Sequence, residues 1–472
     1  MRTNENSQKF WEKDDNGKIK IIQSKLIAFL SKSGFSKAEI SDTDYTLVRE
    51  YENTVKEIAD YVIVDYVKRY LLSIKEMDVY EAFIKASSTL ISKPKLRFLK
   101  TVKLLNDRDD AKTSWFHFQN LSWQVGKKSL SSRLREDFQG KIWKSRILPY
   151  DCYYVKDDDE SQFQKFCFNI SGKNKHRFKA LTTIIGYLLH RNQDPGNAKA
   201  IIFIDENISF DGTANGGTGK SLLVRAMGKC RELVVMDGKN IKHKSWFKNQ
   251  RINRTTDLVF YDDVGRDFSL ETLYSMITTG VTVEKKYKAE EYILPENAPK
   301  IIISSNYVVN GTGGSTDIRR RCEFEVANHY DDTFTPEDEF GNYFFDDWDK
   351  GEWNRFFHFM MECVQQYLKN GLIIPNPINL KKNRLINATC EEFVAFMELD
   401  LVERNKWLNK KDVLNLYISE YRHYNNLSSH QMTKWIKEYA RQNELIYEDR
   451  KSGEKYEMYL KELRKEVSDE EE

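Results

Sequence analysis

Apolar residues in the middle of the chain come in short unbroken runs, each closed by polar residues and separated by longer mixed stretches. Ile201–Asp205, Leu233–Asp237, Leu258–Asp262, Lys300–Ser305 and Cys322–Ala327 read as five buried strands, and helical or mixed segments lie between them. This alternation predicts an α/β fold with a mostly parallel five-stranded sheet. Ahead of the first run, Phe178–His190 reads as a helix, and Pro195-Gly196 links it to the sheet. Ser269 is a candidate N-cap for a helix that Gly280 ends, and Trp353 opens an amphipathic helix reaching Lys369, stopped near Gly371 and Pro375.

The flanks have other periods. Tyr51, Val55, Ile58, Val62 and Tyr66 recur at helical spacing, so residues 1–110 are expected to form a helical domain. Residues 111–175 carry short aromatic runs such as Trp115–Phe118, which predict a small β-rich or mixed insert. Residues 176–378 hold the five runs. In 385–464, helices are expected at Lys411–Tyr424 and Ser428–Asn443, and a hairpin over Ile446–Tyr459 turning at Ser452-Gly453. Residues 465–472 form an acidic tail.

Chemistry gathers at the ends of the apolar runs. After the first run comes Ala214-Asn215-Gly216-Gly217-Thr218-Gly219-Lys220-Ser221, followed by Leu222–Met227 with helical spacing. Strand, glycine loop and helix start make a phosphate cradle, because glycines let successive N–H groups turn toward one anion. Lys220 would reach the β- and γ-phosphates of ATP and the Ser221 hydroxyl would ligate Mg²⁺. Ala214 stands where the usual pattern has glycine. Asp262 and Asp263 close another run, Asp262 as the metal-side group and Asp263 as the base that polarises water. Asn306, at the end of the fourth, could sit beside the γ-phosphate. Two further clusters read as solvated surface: Lys93–Lys100 as a helix face, and Asp157–Glu160 as a loop, since consecutive acids cannot all face one ion.

In this order, Ala214–Ser221, Asp262-Asp263, the lysine-rich Val283–Lys288, Asn306 and Arg320 resemble the superfamily 3 helicases, hexameric AAA+ motors of small DNA viruses, phages and plasmids. The resemblance runs over roughly Leu181–Leu372 and is nearest to the phage and poxvirus-type primase–helicase proteins, although no primase core is recognisable. It implies a P-loop AAA+ motor with catalytic Lys220, Asp262, Asp263, Asn306 and Arg320. ATP would lie between subunits of a homo-hexamer, with Arg320 reaching the neighbour's nucleotide and Arg319 or Arg321 as its fallbacks. A hairpin carrying Lys285, Lys286 and Lys288 would grip single-stranded DNA. Similar replicative helicases carry a helical assembly domain before the motor and a winged helix after it, which the two C-terminal helices and hairpin resemble.

Composition adjusts this picture modestly. Lys and Arg total 74 against 72 Asp and Glu, so any nucleic-acid site is a local patch rather than a global polycation. Six cysteines are scattered without a CxxC pair, which argues against a zinc module and for a reducing cytoplasm. No membrane partner is expected. The expected function is an ATP-dependent, ring-forming replicative helicase acting on single-stranded and forked DNA, with a separate primase or other replisome proteins as partners. An origin-melting initiator and a non-helicase remodelling or defence protein are the alternatives.

Overall fold

Five parallel strands form the sheet at the centre of the second half of the chain: β1 (Ala200–Asp205), β2 (Leu233–Asp237), β3 (Leu258–Val264), β4 (Lys300–Ser305) and β5 (Arg321–Val326). Their order across the sheet is β2-β3-β4-β1-β5. This computed structural model describes residues 9–41, 44–105, 108–154, 160–208, 217–241, 245–286, 290–399 and 401–462. The fold is mixed α/β. All six residues of β1 and of β4 are buried, which explains why they read as continuous apolar runs rather than alternating ones.

The chain divides into two compact units, Met1–Asp157 with His190–Asn192 and Asp158–Leu189 with Gln193–Glu472. In the second unit, one face of the sheet packs Ile202, Val259 and Ile303 against Met276, Val281 and Ile293. Helices α1 (Gln162–Ile170), α2 (Lys175–Leu189), α3 (Lys220–Gly228), α4 (Gly314–Arg320) and α5 (Lys350–Asn370), with the short helices Tyr274–Thr278 and Pro336–Phe340, belong to its sheet-bearing part. Asp349 caps α5 through a 2.7 Å bond from the Glu352 N–H, and Gly371 ends it at φ +71°. Burial pushes the Cys230 and Cys322 thiols up to about 12, which leaves them as packing groups.

The same unit continues into α6 (Leu380–Ala388), α7 (Glu391–Glu398), α8 (Lys410–Glu420) and α9 (Ser429–Gln442). A three-stranded sheet of order Leu408–Asn409, Lys455–Glu462, Leu445–Ser452 packs with them around Phe393, Tyr417, Trp435 and Met458. Ser428 caps α9, its hydroxyl accepting from the Gln431 N–H at 3.1 Å. The hairpin turns at Gly453, where φ is +61°. The expected helix to Tyr424 stops at Glu420, and a separate single turn covers Arg422–Tyr424.

The first unit corrects the expectation of a helical 1–110. Helices Gln23–Lys32, Asp60–Ser73 and Met77–Leu90 are present, but Phe35–Ser41, Asp44–Tyr51 and Thr54–Glu57 are strands. The supposed stripe joins two different structures. Val55 packs with Ala38 and Val48 on the sheet, whereas Ile58, Val62 and Tyr66 pack on the helical core around Phe29, Phe35 and Val67. Glu52, at φ +51°, turns the chain between the second and third strands, so helical spacing there has no helix beneath it. Thr113–His117, Ser122–Gly126 and Leu130–Arg133 form a three-stranded antiparallel sheet. The domain boundary also moves: one unit spans both 1–110 and most of 111–175, and α1 belongs to the second unit. Lys93–Leu96 is only a short helix, with Leu96 buried. Residues 155–159 and 463–472, and with them most of the acidic loop and the whole acidic tail, lie outside the described residues. Among the described residues no helix is long and apolar enough to cross a membrane.

Among the described glycines the closest approach is at Gly186, where α2 packs on α5. A Cβ there would stand 2.0 Å from the Cys363 carbonyl oxygen and 2.7 Å from Tyr367 Cβ. Gly186→Ala must force the two helices apart, and overpacking of this kind costs about 1–3 kcal/mol. A lowered denaturation midpoint in urea is the expected result; an unchanged midpoint would show that the helices slide without cost.

Candidate functional site

Helix α3 begins at the glycine loop. Gly219 precedes it at φ +99°, and Gly217 lies at φ +90°, both in the left-handed region that favours glycine. A Cβ on Gly219 would also meet the Phe166 ring at 2.8 Å. Ala214, Asn215 and Gly216 lie outside the described residues. Lys220, the first residue of α3, points its ammonium at three acceptors. It pairs with Asp205 at the end of β1, and donates to Asn306 Oδ1 at 3.1 Å and Thr218 Oγ1 at 3.4 Å. Thr218 Oγ1 in turn donates to the other Asp205 oxygen at 2.6 Å. The ion pair is nearly closed off from water, with side-chain exposures of 11% for Lys220 and 4% for Asp205.

The two acids of β3 reach this place by a break in the strand. Successive strand residues point to opposite faces, yet the pairing of β3 with β4 shifts register between Tyr261 and Val264, and Asp263 sits at φ +53°. The bulge re-aims the side chains. Asp262 Oδ1 accepts from Ser304 Oγ at 2.7 Å and lies 3.5 Å from Ser221 Oγ. The Ser304 hydroxyl also accepts the Asp263 N–H at 2.8 Å, so one serine fixes both ends of the bulge. Asp263 Oδ1 takes a 3.1 Å bond from Asn306 Nδ2, and its other oxygen pairs with Lys239 at 2.5 Å. That pairing, through its hydrogen bond first, raises the Lys239 ammonium above its ordinary value.

The structure therefore brings Lys220, Ser221, Asp262, Asp263 and Asn306 together at the C-terminal ends of β1, β3 and β4. Three residues escaped the sequence reading. Asp205 closes an apolar run just as Asp262 does, and that was its available signal. Ser304 shares a strand face with Asn306 at a spacing of two. Lys239 lies in the turn after β2 and carries no pattern. A hydroxyl and a carboxylate oxygen, as Ser221 and Asp262 present them here, are ligands that a hard cation such as Mg²⁺ could take.

The other expected residues lie elsewhere. Val281–Val283 and Glu291–Ile293 pair as an antiparallel hairpin, with Lys285 half-buried and Lys286 exposed in its connecting loop. Lys288 lies outside the described residues. Arg319 and Arg320 end α4, just before the last strand of the sheet. Arg321 starts β5, its guanidinium held by Asp317 at 2.9 Å and by Glu323 and the Val309 carbonyl at 3.1 and 3.0 Å. Arg320 donates to the Thr316 carbonyl at 3.1 Å and lies over the Tyr274 ring.

Residues 213–321 match the model of a family of unknown function, DUF5906. No curated protein matches in sequence. The similar solved structures include two apo A forms of the NrS-1 C-terminal region. The first is 15% identical at a TM-score of 0.41, covering 89% of this chain and 86% of that one. The second, of residues 305–718, is 13% identical at 0.41, covering 92% and 98%. At this level the likeness identifies no activity.

The Asp205–Lys220 pair has a direct consequence for stability. Removing one partner of a buried ion pair leaves an uncompensated charge, at a cost of about 3–5 kcal/mol where burial is complete. Lys220→Ala should lower the melting temperature, and adding Asp205→Asn should recover much of the loss. Equal melting temperatures for the single and double variants would mean that Asp205 is solvated in the variant rather than stranded.

Proposed function

We propose that the protein is an ATP-hydrolysing DNA helicase, a P-loop AAA+ motor of the superfamily 3 type that acts as a ring in replication of a phage or other mobile element. The convergence of Lys220, Ser221, Asp262, Asp263 and Asn306 on one edge of a parallel sheet carries this reading. Open α/β sheets bind ligands at the carboxyl ends of their strands, and this group supplies what phosphoryl transfer needs. Lys220 would exchange Asp205 for the β- and γ-phosphates, with the N–H groups at the start of α3 beside it. Ser221 and Asp262 would hold Mg²⁺, which neutralises charge on the phosphates. Asp263, held by Asn306 and Lys239, would orient and deprotonate the attacking water, and Asn306 would face the γ-phosphate.

Sheet register supports a trans role for Arg320. Ala200 pairs with Arg321, and Asp205 with Val326. The arginines therefore belong to the opposite end of β1 from the cradle, about 16 Å away at 3.3 Å per strand residue. No arginine side chain spans that within one subunit, whereas in a ring this end can face the neighbour's nucleotide. The hairpin loop with Lys285 and Lys286 would touch DNA phosphates. Helices α8 and α9 with the following hairpin support a winged helix, whose α9 start would face DNA.

Purified protein assayed on forked DNA with Mg²⁺ and ATP tests the reading. Unwinding is expected; ATP hydrolysis with melting but no processive unwinding would favour an origin initiator, and hydrolysis without either would favour a remodelling protein. Asp263→Asn should bind ATP and fail to hydrolyse it, while Asp262→Asn should lose the Mg²⁺ dependence of binding. Identical behaviour of the two would remove the division of roles. Lys285→Ala with Lys286→Ala should weaken single-strand binding irrespective of sequence. The slope of log affinity against log salt should fall by about 0.7 for each phosphate that a lysine no longer neutralises. An unchanged slope would reassign the loop to plain surface.

A further inference from the structure

Arg320 is held by very little of its own helix. Beyond the Thr316 carbonyl, its guanidinium carbon lies 5.0 Å from the centre of the Tyr274 ring, and its Nε is buried with no partner among the described residues. Tyr274 itself is firmly fixed. Its hydroxyl donates to Asp317 Oδ1 at 2.6 Å and lies 3.2 Å from the Thr312 hydroxyl. The same Asp317 oxygen receives Arg321, so the phenol is tied to the helix that carries Arg320. Burial, then the Asp317 bond, push the phenol above its ordinary value and keep it a donor.

Tyr274 also begins the helix Tyr274–Thr278, which leads through Gly280 into the hairpin at Val281. This connection is stiff. Met276 and Ile277 are buried in the same apolar cluster as Val281, Val283 and Ile293. Tyr292, on the returning strand, donates its hydroxyl to the Thr279 carbonyl. Gly280 stands at φ +114°, and a Cβ there would meet the Ile293 carbonyl oxygen at 2.5 Å. The arginine's aromatic rest and the base of the lysine hairpin are thus two ends of one short packed segment.

We propose that Tyr274 is a positioning residue that holds Arg320 at the subunit face and transmits a shift of that arginine to the basic hairpin. This rests on the helicase reading above. When Arg320 engages a nucleotide on the neighbouring subunit, its guanidinium moves relative to the Tyr274 ring. The segment behind Tyr274 is short and packed along its buried face, so the hairpin base moves with it. In the other direction, DNA held by Lys285 and Lys286 biases where Arg320 stands, which is a coupling between two sites and must be reciprocal in binding.

The experiment compares wild type, Tyr274→Ala and Tyr274→Phe in the full chain. Readouts are ATP turnover with and without single-stranded DNA, the KM for ATP, and DNA affinity measured separately. Tyr274→Ala should lower kcat about tenfold or more, since a misplaced arginine loses transition-state stabilisation, while KM and DNA affinity stay within about twofold. Its stimulation by DNA should disappear. Tyr274→Phe keeps the ring face and loses the tie to Asp317, so kcat should largely return while DNA stimulation stays reduced. Wild-type kcat and stimulation in Tyr274→Ala would overturn the inference. So would a parallel worsening of KM, DNA affinity and melting temperature, the mark of a purely structural role, or a Tyr274→Phe variant with full stimulation. Wild-type protein without Mg²⁺-dependent ATPase activity would overturn the helicase reading itself, and this inference with it.

Discussion

The site depends on one amide. Asn306 accepts from Lys220 through its oxygen and donates to Asp263 through its nitrogen. A primary amide offers an acceptor and donors on one planar group, so it can lie between a cation and an anion and satisfy both. That placement follows from sheet order. With β4 between β1 and β3, its C-terminal end emerges between the glycine loop and the acid pair. An order that did not keep β4 between β1 and β3 would part the amide from one of its neighbours.

Charge balance around this amide is close and local. Lys220 and Lys239 face Asp205, Asp262 and Asp263, and each lysine already has a carboxylate partner. A polyanion entering here competes with Asp205 for Lys220 and meets the repulsion of the acids, so its binding requires a cation to offset them. On the proposed reading this makes Mg²⁺ a condition of nucleotide affinity, and Asp205 helps to set it. The bulge at Asp262-Asp263 is the backbone counterpart. A regular strand would send one carboxylate to the far face; a residue at positive φ, which aspartate tolerates better than most, keeps both on the ligand side at the cost of ladder pairing.

Much of this was legible in the chain. Continuous apolar runs mark strands buried on both faces, and residues ending such runs must emerge at a sheet edge. That logic reached Asp262, Asp263 and Asn306, and applied evenly would have reached Asp205. Strand order was not legible, because local patterning says nothing about which strands become neighbours. Nor was the N-terminal sheet: Tyr51, Val55 and Ile58 continue by coincidence the period that Val62 and Tyr66 owe to the helix Asp60–Ser73, and the turn at Glu52 is visible only once Val55 and Val62 are seen in different cores. The helix before β5 was hidden by its composition, since Gly314-Ser315-Thr316 are poor helix formers.

The three adjacent arginines illustrate how far residue type falls short of role. Arg321 serves the fold, held by two carboxylates and a carbonyl at 9% side-chain exposure. Glu323, one of those carboxylates, also pairs with Arg384 of α6. Burial first, then the like charge of Arg321, pulls the Arg384 guanidinium down to about 10, still charged at neutral pH. This chain of charges locks the start of β5 to the C-terminal helices. Arg319, exposed, donates to the Ser315 carbonyl within its own helix. Arg320 alone has neither a carboxylate partner nor full exposure, and rests on an aromatic face that can release it at small cost. On the proposed reading, a guanidinium that meets phosphate must be aimed without being neutralised. Among these three, only the middle one is held that way.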